Sequence, residues 1–193
     1  MKEIVLASNN KHKIREIKEI LDNVDILTLN DIGFYDEIEE NGNTFLENAL
    51  IKARTISKFL RTKNINCDVL ADDSGLCCIA INLEPGIYSA RYSGVHDAVK
   101  ENRDKLIKNL IGKDKTAYFN CTIVLYHPDD TYEYSEGKTY GKIIDEEIGD
   151  TSFGYDCIFL SDDLNKTFGE ASEEDKNKVS HRYRALQKIK KYI

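Results

Sequence analysis

Leu70-Ala71-Asp72-Asp73-Ser74-Gly75-Leu76 sets two adjacent carboxylates between apolar runs. Val69, Leu70 and Ala71 lead into the pair, and residues 76–81, Leu-Cys-Cys-Ile-Ala-Ile, follow it. The pattern predicts a buried strand, a turn at Ser74-Gly75 and a second buried strand, with Asp72 and Asp73 held at a strand end. Two unit charges a few Å apart at a partly buried site repel by about 4 kcal/mol, so a compensating group is expected, and a hard divalent cation is the usual one. The same residues also read as a solvated turn with two surface acids, and this stretch alone supports both readings.

Around it the chain reads as one domain over residues 1–193. That length carries one sizeable core. Pro85 and Pro128 are its two prolines, and no Gly/Ser-rich linker or internal repeat interrupts it. A formal net charge of −7 argues against a general nucleic-acid binder, which needs a basic surface to release counterions. The five cysteines, Cys67, Cys77, Cys78, Cys121 and Cys157, fall mostly in apolar runs, which favours buried reduced thiols over disulfides. No Cys/His grouping has zinc-ligand spacing. The opening residues Met-Lys-Glu-Ile-Val-Leu-Ala fit neither a signal peptide nor a membrane span, so a cytoplasmic protein that engages no membrane is expected.

Residues 4–7 read as a buried strand that stops at Ser8-Asn9-Asn10, a run suited to capping a helix. Ile14, Ile17, Ile20 and Leu21 then recur at helical spacing. Lys11 and Lys13 stand in the first turn of that helix, where the dipole disfavours cations by some tenths of a kcal/mol. Strand, polar turn and helix N-terminus make an anion site through free backbone N–H groups, and two lysines strengthen it for phosphate; the alternative is that both lysines point into solvent. Residues 44–47, Thr-Phe-Leu-Glu, have capping-box spacing and open a helix to about Leu60, whose core stripe is Leu46, Ala49, Leu50, Ala53, Ile56 and Leu60. Glu40 lies just before it. A third helix is expected over about 98–111, stopped by Gly112, with a charged middle that suggests a peripheral position. Residues 116–126 read as a long strand, 131–135 as its antiparallel return and 139–144 as a further strand, giving a mixed sheet. Phe153-Gly154-Tyr155-Asp156 pairs an aromatic face with a carboxylate, a combination that stacks a planar base and bonds its edge, or that merely packs. A final helix from about Ser172 carries Lys176, Ser180, His181 and Arg182 and docks through Ala185, Leu186 and Ile189. Its cations either converge on one site or form a solvated basic face.

Taken together, six segments in register resemble the inosine/xanthosine triphosphate pyrophosphatases. They are residues 8–13 (Ser-Asn-Asn-Lys-His-Lys), 40–49 (Glu-Asn-Gly-Asn-Thr-Phe-Leu-Glu-Asn-Ala), 71–76 (Ala-Asp-Asp-Ser-Gly-Leu), 85–94 (Pro-Gly-Ile-Tyr-Ser-Ala-Arg-Tyr-Ser-Gly), 153–156 and 180–182 (Ser-His-Arg). The resemblance implies an elongated, two-lobed α/β fold with a long mixed β-sheet, flanking helices and a central active-site cleft, assembled as a homodimer. It implies a hydrolase that converts non-standard purine nucleoside triphosphates (ITP, dITP, XTP) to monophosphate and pyrophosphate with Mg2+. By the same resemblance Ser8, Asn9 and Lys13 hold the phosphate chain, Glu40 and Asp73 bind the metal, Asp73 is also the base, and Ser74 touches substrate. Phe153, Gly154, Tyr155, Asp156, Lys176, His181 and Arg182 form the base and sugar pocket. The 6-oxo group of hypoxanthine or xanthine is an acceptor for Arg182 or His181, where adenine presents a donor. Guanine shares that oxo group, and no residue is assigned to its rejection. Cys157 stands where the family usually has proline, and residues 167–172, Thr-Phe-Gly-Glu-Ala-Ser, replace a Thr-Phe-Ala-Glu-Leu-Thr-like run. A nucleotide-binding protein without catalysis and a related pyrophosphatase for modified pyrimidine or other nucleotides are the competing readings.

Overall fold

The Leu70–Leu76 stretch does not turn. In the computed structural model, which describes residues 2–193, it lies inside one continuous strand, Asp68–Cys78. Ser74-Gly75 keeps the strand because Gly75 is needed for closeness rather than for a bend. A Cβ there would collide with the Gly86 carbonyl oxygen and Ser89 Oγ, and the Leu76 N–H donates to that same Ser89 Oγ at 2.9 Å.

The strands are β1 (Lys2–Leu6), β2 (Val24–Leu27), β3 (Asp68–Cys78), β4 (Thr116–Tyr126), β5 (Tyr132–Ile143) and β6 (Phe159–Ser161). They form one sheet in the order β2-β1-β3-β4-β5-β6. β1 is parallel to β2 and β3, and β5 is antiparallel to β6, so the sheet is mixed as expected. The helices are α1 (Lys11–Ile20), α2 (Phe45–Thr62), α3 (Val99–Asn109), α4 (Glu173–Val179) and α5 (His181–Ile189). No helix among the described residues is long and apolar enough to cross a membrane.

Two expected elements change. The strands at 131–135 and 139–144 are a single β5, because exposed and buried residues alternate without a break through Glu136-Gly137-Lys138 and a turn would have reset that alternation. The helix from Ser172 is two helices: Ser180 adopts extended backbone, φ −64° and ψ 155°, which ends α4 before α5 begins.

The chain forms two compact units. The first comprises the described residues of Met1–Asp73 with Cys121–Gly137 and Arg182–Ile193, the second Ser74–Asn120 with Lys138–His181. In the first, the sheet is covered on both faces. Leu70, Cys121, Ile123 and Leu125 pack with Ile17 and Ile20 of α1 and Ala185, Leu186 and Ile189 of α5. Val69, Ala71, Val124 and Tyr126 pack with Ala49, Ala53, Ile56 and Leu60 of α2. The core of the second unit gathers Leu76, Leu106, Leu110, Phe119, Tyr155, Phe159 and Phe168. The five cysteines are free thiols.

An ion-pair cluster joins four strand ends of the first unit. His127 Nδ1 lies 2.8 Å from Asp68 Oδ1 and its Nε2 2.6 Å from Glu133 Oε2, while Lys2 Nζ lies 2.7 Å from Asp68 Oδ2. Burial alone would lower the His127 pKa, but the hydrogen bonds to Asp68 and Glu133 outweigh it and the pKa is raised. A raised pKa gives stability that is complete below the unfolded value of about 6.5 and is lost as pH rises through the folded value. His127→Gln is therefore expected to lower the thermal midpoint near pH 6, with the gap to the parent protein closing at alkaline pH. A gap that does not vary with pH would contradict the charged pairing.

Candidate active site

The sequence-predicted residues divide between the two units. In the first, α1 begins where β1 ends: Asn10 Oδ1 accepts from the N–H groups of His12 and Lys13 at 3.0 and 3.2 Å, and Ser8 Oγ accepts from the Asn10 N–H at 3.2 Å. The cap thus comes from Asn10, leaving Ser8 and Asn9 on the preceding turn. Lys13 is not simply solvated, since its Nζ pairs with Asp72 Oδ2 at 3.0 Å.

Strand geometry separates the two acids of the opening stretch. Adjacent residues on a strand point to opposite faces. Asp72 faces α1 and α5, where Lys13 and Arg182 meet it, Arg182 Nη2 lying 3.4 Å from Oδ2. Arg182 Nη1 bonds Glu16 Oε2. Burial alone would raise the Asp72 pKa, but Lys13, Arg182 and Lys52 hold it well below the usual carboxylate range, so Asp72 is a permanently charged anchor. Its Oδ1 is buried with no hydrogen-bond partner among the described residues.

Asp73 faces α2. Its Oδ2 accepts from Asn48 Nδ2 at 3.0 Å, and Lys52 Nζ lies 3.9 Å from Oδ1 while bonding Glu40 Oε2 at 2.9 Å. Burial raises the Asp73 pKa, Lys52 and Lys13 oppose the rise, and Glu40 adds to it. A carboxylate shifted upward is a better proton acceptor. Asn48 and Lys52 are one helical turn apart on α2, whose N-terminus is fixed by Thr44 Oγ1 accepting from the Glu47 N–H at 3.1 Å. The box closes one residue early, with Glu47 Oε2 taking the Asn43 N–H at 2.6 Å.

Across this unit Lys13, Lys52 and Arg182 face Glu16, Glu40, Asp72 and Asp73, three cations against four carboxylates. The donor chemistry suits magnesium: two carboxylates already share one ammonium, and this ion is usually held by one or two carboxylates with substrate phosphate and water completing its shell. No group of three or more His, Cys, Asp or Glu among the described residues is placed to hold a metal alone, so Glu40 and Asp73 would hold it together with substrate.

In the second unit Lys176 Nζ bonds Asp156 Oδ2 at 2.6 Å and sits 5.0 Å from the Phe153 ring centroid. This gathers three of the predicted base-pocket residues. Gly154 is left-handed, φ +50°, which turns the chain sharply between Phe153 and Tyr155. Tyr155 is buried, and its hydroxyl donates to the Ser89 carbonyl at 2.8 Å. It is an anchor of the segment rather than an open face. His181 stacks on Phe119, centroids 4.9 Å apart. Ser74 begins this unit on β3. Arg182 is 1% exposed in the first unit, with its guanidinium on Glu16 and Asp72.

Several residues of these networks escaped the sequence reading: Glu16, Asn48 and Lys52. For Asn48 and Lys52 a signal exists, a polar pair at i and i+4 beside the apolar stripe of α2. The α3 expectation needs correction too, since its charged middle buries Asn102 and Arg103.

The Ham1 family model matches residues 4–192. The dITP/XTP pyrophosphatase of Clostridium perfringens (strain 13 / Type A) is 45% identical over 196 residues, covering 98% of this chain and 96% of the relative. That of Bacillus subtilis (strain 168) is 41% identical and covers 100% and 98%. Among solved structures, the Staphylococcus aureus Ham1 protein superposes with a TM-score of 0.86 at 39% identity, over 99% of this chain and 97% of that one. A HAM1 protein from Coxiella burnetii gives 0.87 at 36%, over 100% and 98%. With family model, relatives and structures agreeing over essentially its whole length, this chain belongs to the Ham1 family.

Proposed function

We propose that this protein is a hydrolase that converts non-standard purine nucleoside triphosphates, dITP, XTP and ITP, to the monophosphate and pyrophosphate with magnesium. The observation that carries the reading is the pairing of Asp73 and Glu40 around Lys52, found in a chain closely similar to dITP/XTP pyrophosphatases along its whole length.

The two ends of such a substrate call for different chemistry. A triphosphate bears about four negative charges, which must be neutralised before a nucleophile approaches. Lys13 and the turn of Ser8 and Asn9 at the start of α1 suit the phosphates, since a helix N-terminus offers N–H groups and a favourable dipole. Glu40 and Asp73 would hold magnesium together with the substrate, and the ion would supply charge neutralisation on the phosphate chain. Asp73 takes the proton of the attacking water; the water oxygen bonds to the α-phosphorus, the bond from that phosphorus to the bridging oxygen breaks, and pyrophosphate leaves. Asp72 is no candidate for this proton, because Lys13 and Arg182 hold it ionised.

For the base, Phe153 offers a ring to stack upon, and Lys176 and His181 offer donors to a 6-oxo group. A site built to donate there leaves its donors unpaired against adenine, a form of discrimination that is worth far more than a difference of shape. A homodimer belongs to the same proposal. Tyr132 and Tyr134 are exposed on successive outward positions of β5, and light scattering should read twice the chain mass of 22.1 kDa; a monomer would contradict it.

The test is to incubate the protein with magnesium and dITP, XTP, ITP, ATP, GTP or TTP and to measure both pyrophosphate and orthophosphate. Pyrophosphate from the first three, well above ATP and TTP, is expected. Orthophosphate in its place would overturn attack at the α-phosphorus, release from TTP above all others would favour a pyrimidine enzyme, and tight binding without release would mark a sensor.

A further inference from the structure

We propose that Arg103 is a positioning residue for nucleobase recognition, acting from α3 through the loop that carries Phe153 and Asp156 without touching the base. The inference rests on reading residues 153–156 as the base pocket.

Residues 144–155 contain no helix or strand, and such a segment takes its shape from side chains that satisfy its backbone. Some of its hydrogen bonds are local: Ser152 N–H donates to Asp150 Oδ1 at 2.8 Å and Asp156 N–H to the Phe153 carbonyl at 3.3 Å. The carbonyls of Thr151 and Gly154 are taken by one guanidinium. Arg103 Nη1 donates to them at 3.2 and 2.9 Å, and Nε donates to Glu147 Oε1 at 2.8 Å. A single side chain thereby pins the loop at 147, 151 and 154, on either side of Phe153. Only a planar fork of N–H donors reaches partners in several directions at once; a lysine ammonium on its flexible stem cannot reproduce that geometry.

The neighbouring residue makes the same kind of contact with a second segment, the end of the short 3-10 helix Gly86–Arg91 and the turn after it. Asn102 Oδ1 accepts from the Ser93 N–H at 2.7 Å and its Nδ2 donates to the Ala90 carbonyl at 3.2 Å. Tyr155, next to Gly154, closes the arrangement by donating to Ser89. Two successive residues of α3 thus fix the two segments that Tyr155 joins. Phe153 and Asp156 are in turn tied to Lys176, so an error in the height of the Gly154 peptide would pass to the ring, the carboxylate and the ammonium together.

A buried ion pair is a poor way to gain stability, since desolvation offsets much of the attraction. Arg103 is 3% exposed at its side chain and its partner Glu147 29%, so the desolvation of the guanidinium is only partly offset by the pair. The hydrogen bonds of Arg103 to the two loop carbonyls give it a role in the shape of the loop.

The test compares the parent protein with Arg103→Met and Arg103→Lys, measuring kcat and KM for dITP and the inhibition constant of inorganic tripolyphosphate, which has phosphates but no base. Arg103→Met is expected to raise KM for dITP about tenfold or more, since losing preorganisation weakens binding, while kcat and tripolyphosphate inhibition change by less than about threefold. Arg103→Lys should fall between. A purely structural role would lower the active fraction, and thus apparent kcat, with KM unchanged; that result, or an equal loss for dITP and tripolyphosphate, would overturn the inference and leave the proposed function standing. If Arg103→Met does not fold, Arg103→Lys and Glu147→Gln carry the same comparison, with smaller shifts expected and the same contrary results. A parent protein that releases no pyrophosphate from dITP overturns the functional reading and this inference with it.

Discussion

Asp73→Asn should reduce pyrophosphate release by at least 10²- to 10⁴-fold, the usual contribution of a placed carboxylate base, with any metal-binding loss added to it. The fold should survive. The asparagine side chain is the same size, and its amide oxygen still accepts from Asn48 Nδ2, the bond that Asp73 Oδ2 makes at 3.0 Å. Lys52 keeps Glu40 at 2.9 Å as its principal partner. Because burial already disfavours the charged form of Asp73, a neutral replacement relieves desolvation as it removes the attraction to Lys52. The thermal midpoint is therefore expected to stay within a few degrees while activity collapses. Near-normal turnover would remove Asp73 from the role of base, and a large loss of stability would make it a structural residue.

Arg182→Ala is expected to do the reverse, striking the fold first. Arg182 is the cation between two buried carboxylates, Glu16 and Asp72, and all three are about 1% exposed. Removing one partner of a buried ion pair costs about 3–5 kcal/mol, because the remaining charges are left desolvated and unpaired. At roughly 2–4 °C per kcal/mol for a domain of this size, the thermal midpoint should fall by about 10 °C or more. Adding Glu16→Gln should recover part of that loss by removing one of the orphaned charges. If Arg182→Ala melts with the parent protein but loses discrimination between dITP and dATP, the residue reads the base, as the family resemblance implies. If the midpoint falls and Asp72 loses its anchor, its effect on turnover acts through Lys13.

Local patterns in the sequence were a good guide to local structure. The cap before α1, the stripe and N-terminus of α2, and the limits of β4 follow from capping chemistry and periodicity, which involve residues within a few positions of each other. What escaped was long-range or depended on exact backbone geometry. Glycine and serine usually signal a turn, yet Gly75 is glycine because the chain at Gly86 and Ser89 passes too close for a side chain, and residues 86 and 89 are invisible from position 75. Ser180 shows the opposite error, an ordinary residue at which a helix stops and restarts.

Charged residues misled in a consistent direction. The middle of α3 looks peripheral because Lys100, Glu101, Arg103, Asp104 and Lys105 crowd it, but the burial of one arginine is decided by carbonyls some fifty residues away. Lys13 appeared to stand uncompensated at a helix start, and its partner Asp72 arrives from β3. The two acids of the opening stretch looked equivalent in one dimension. The strand's alternation makes them different, one fixed as a charge between α1 and α5, the other set against α2 with a raised pKa.

The central claim is that water attacks the α-phosphorus of a purine nucleoside triphosphate. A single turnover of dITP with magnesium in water labelled with heavy oxygen, followed by mass spectrometry of both products, tests it most directly. Attack at the α-phosphorus puts the label in the deoxyinosine monophosphate and leaves pyrophosphate unlabelled. Label in the pyrophosphate would place the attack on the β-phosphorus and contradict it.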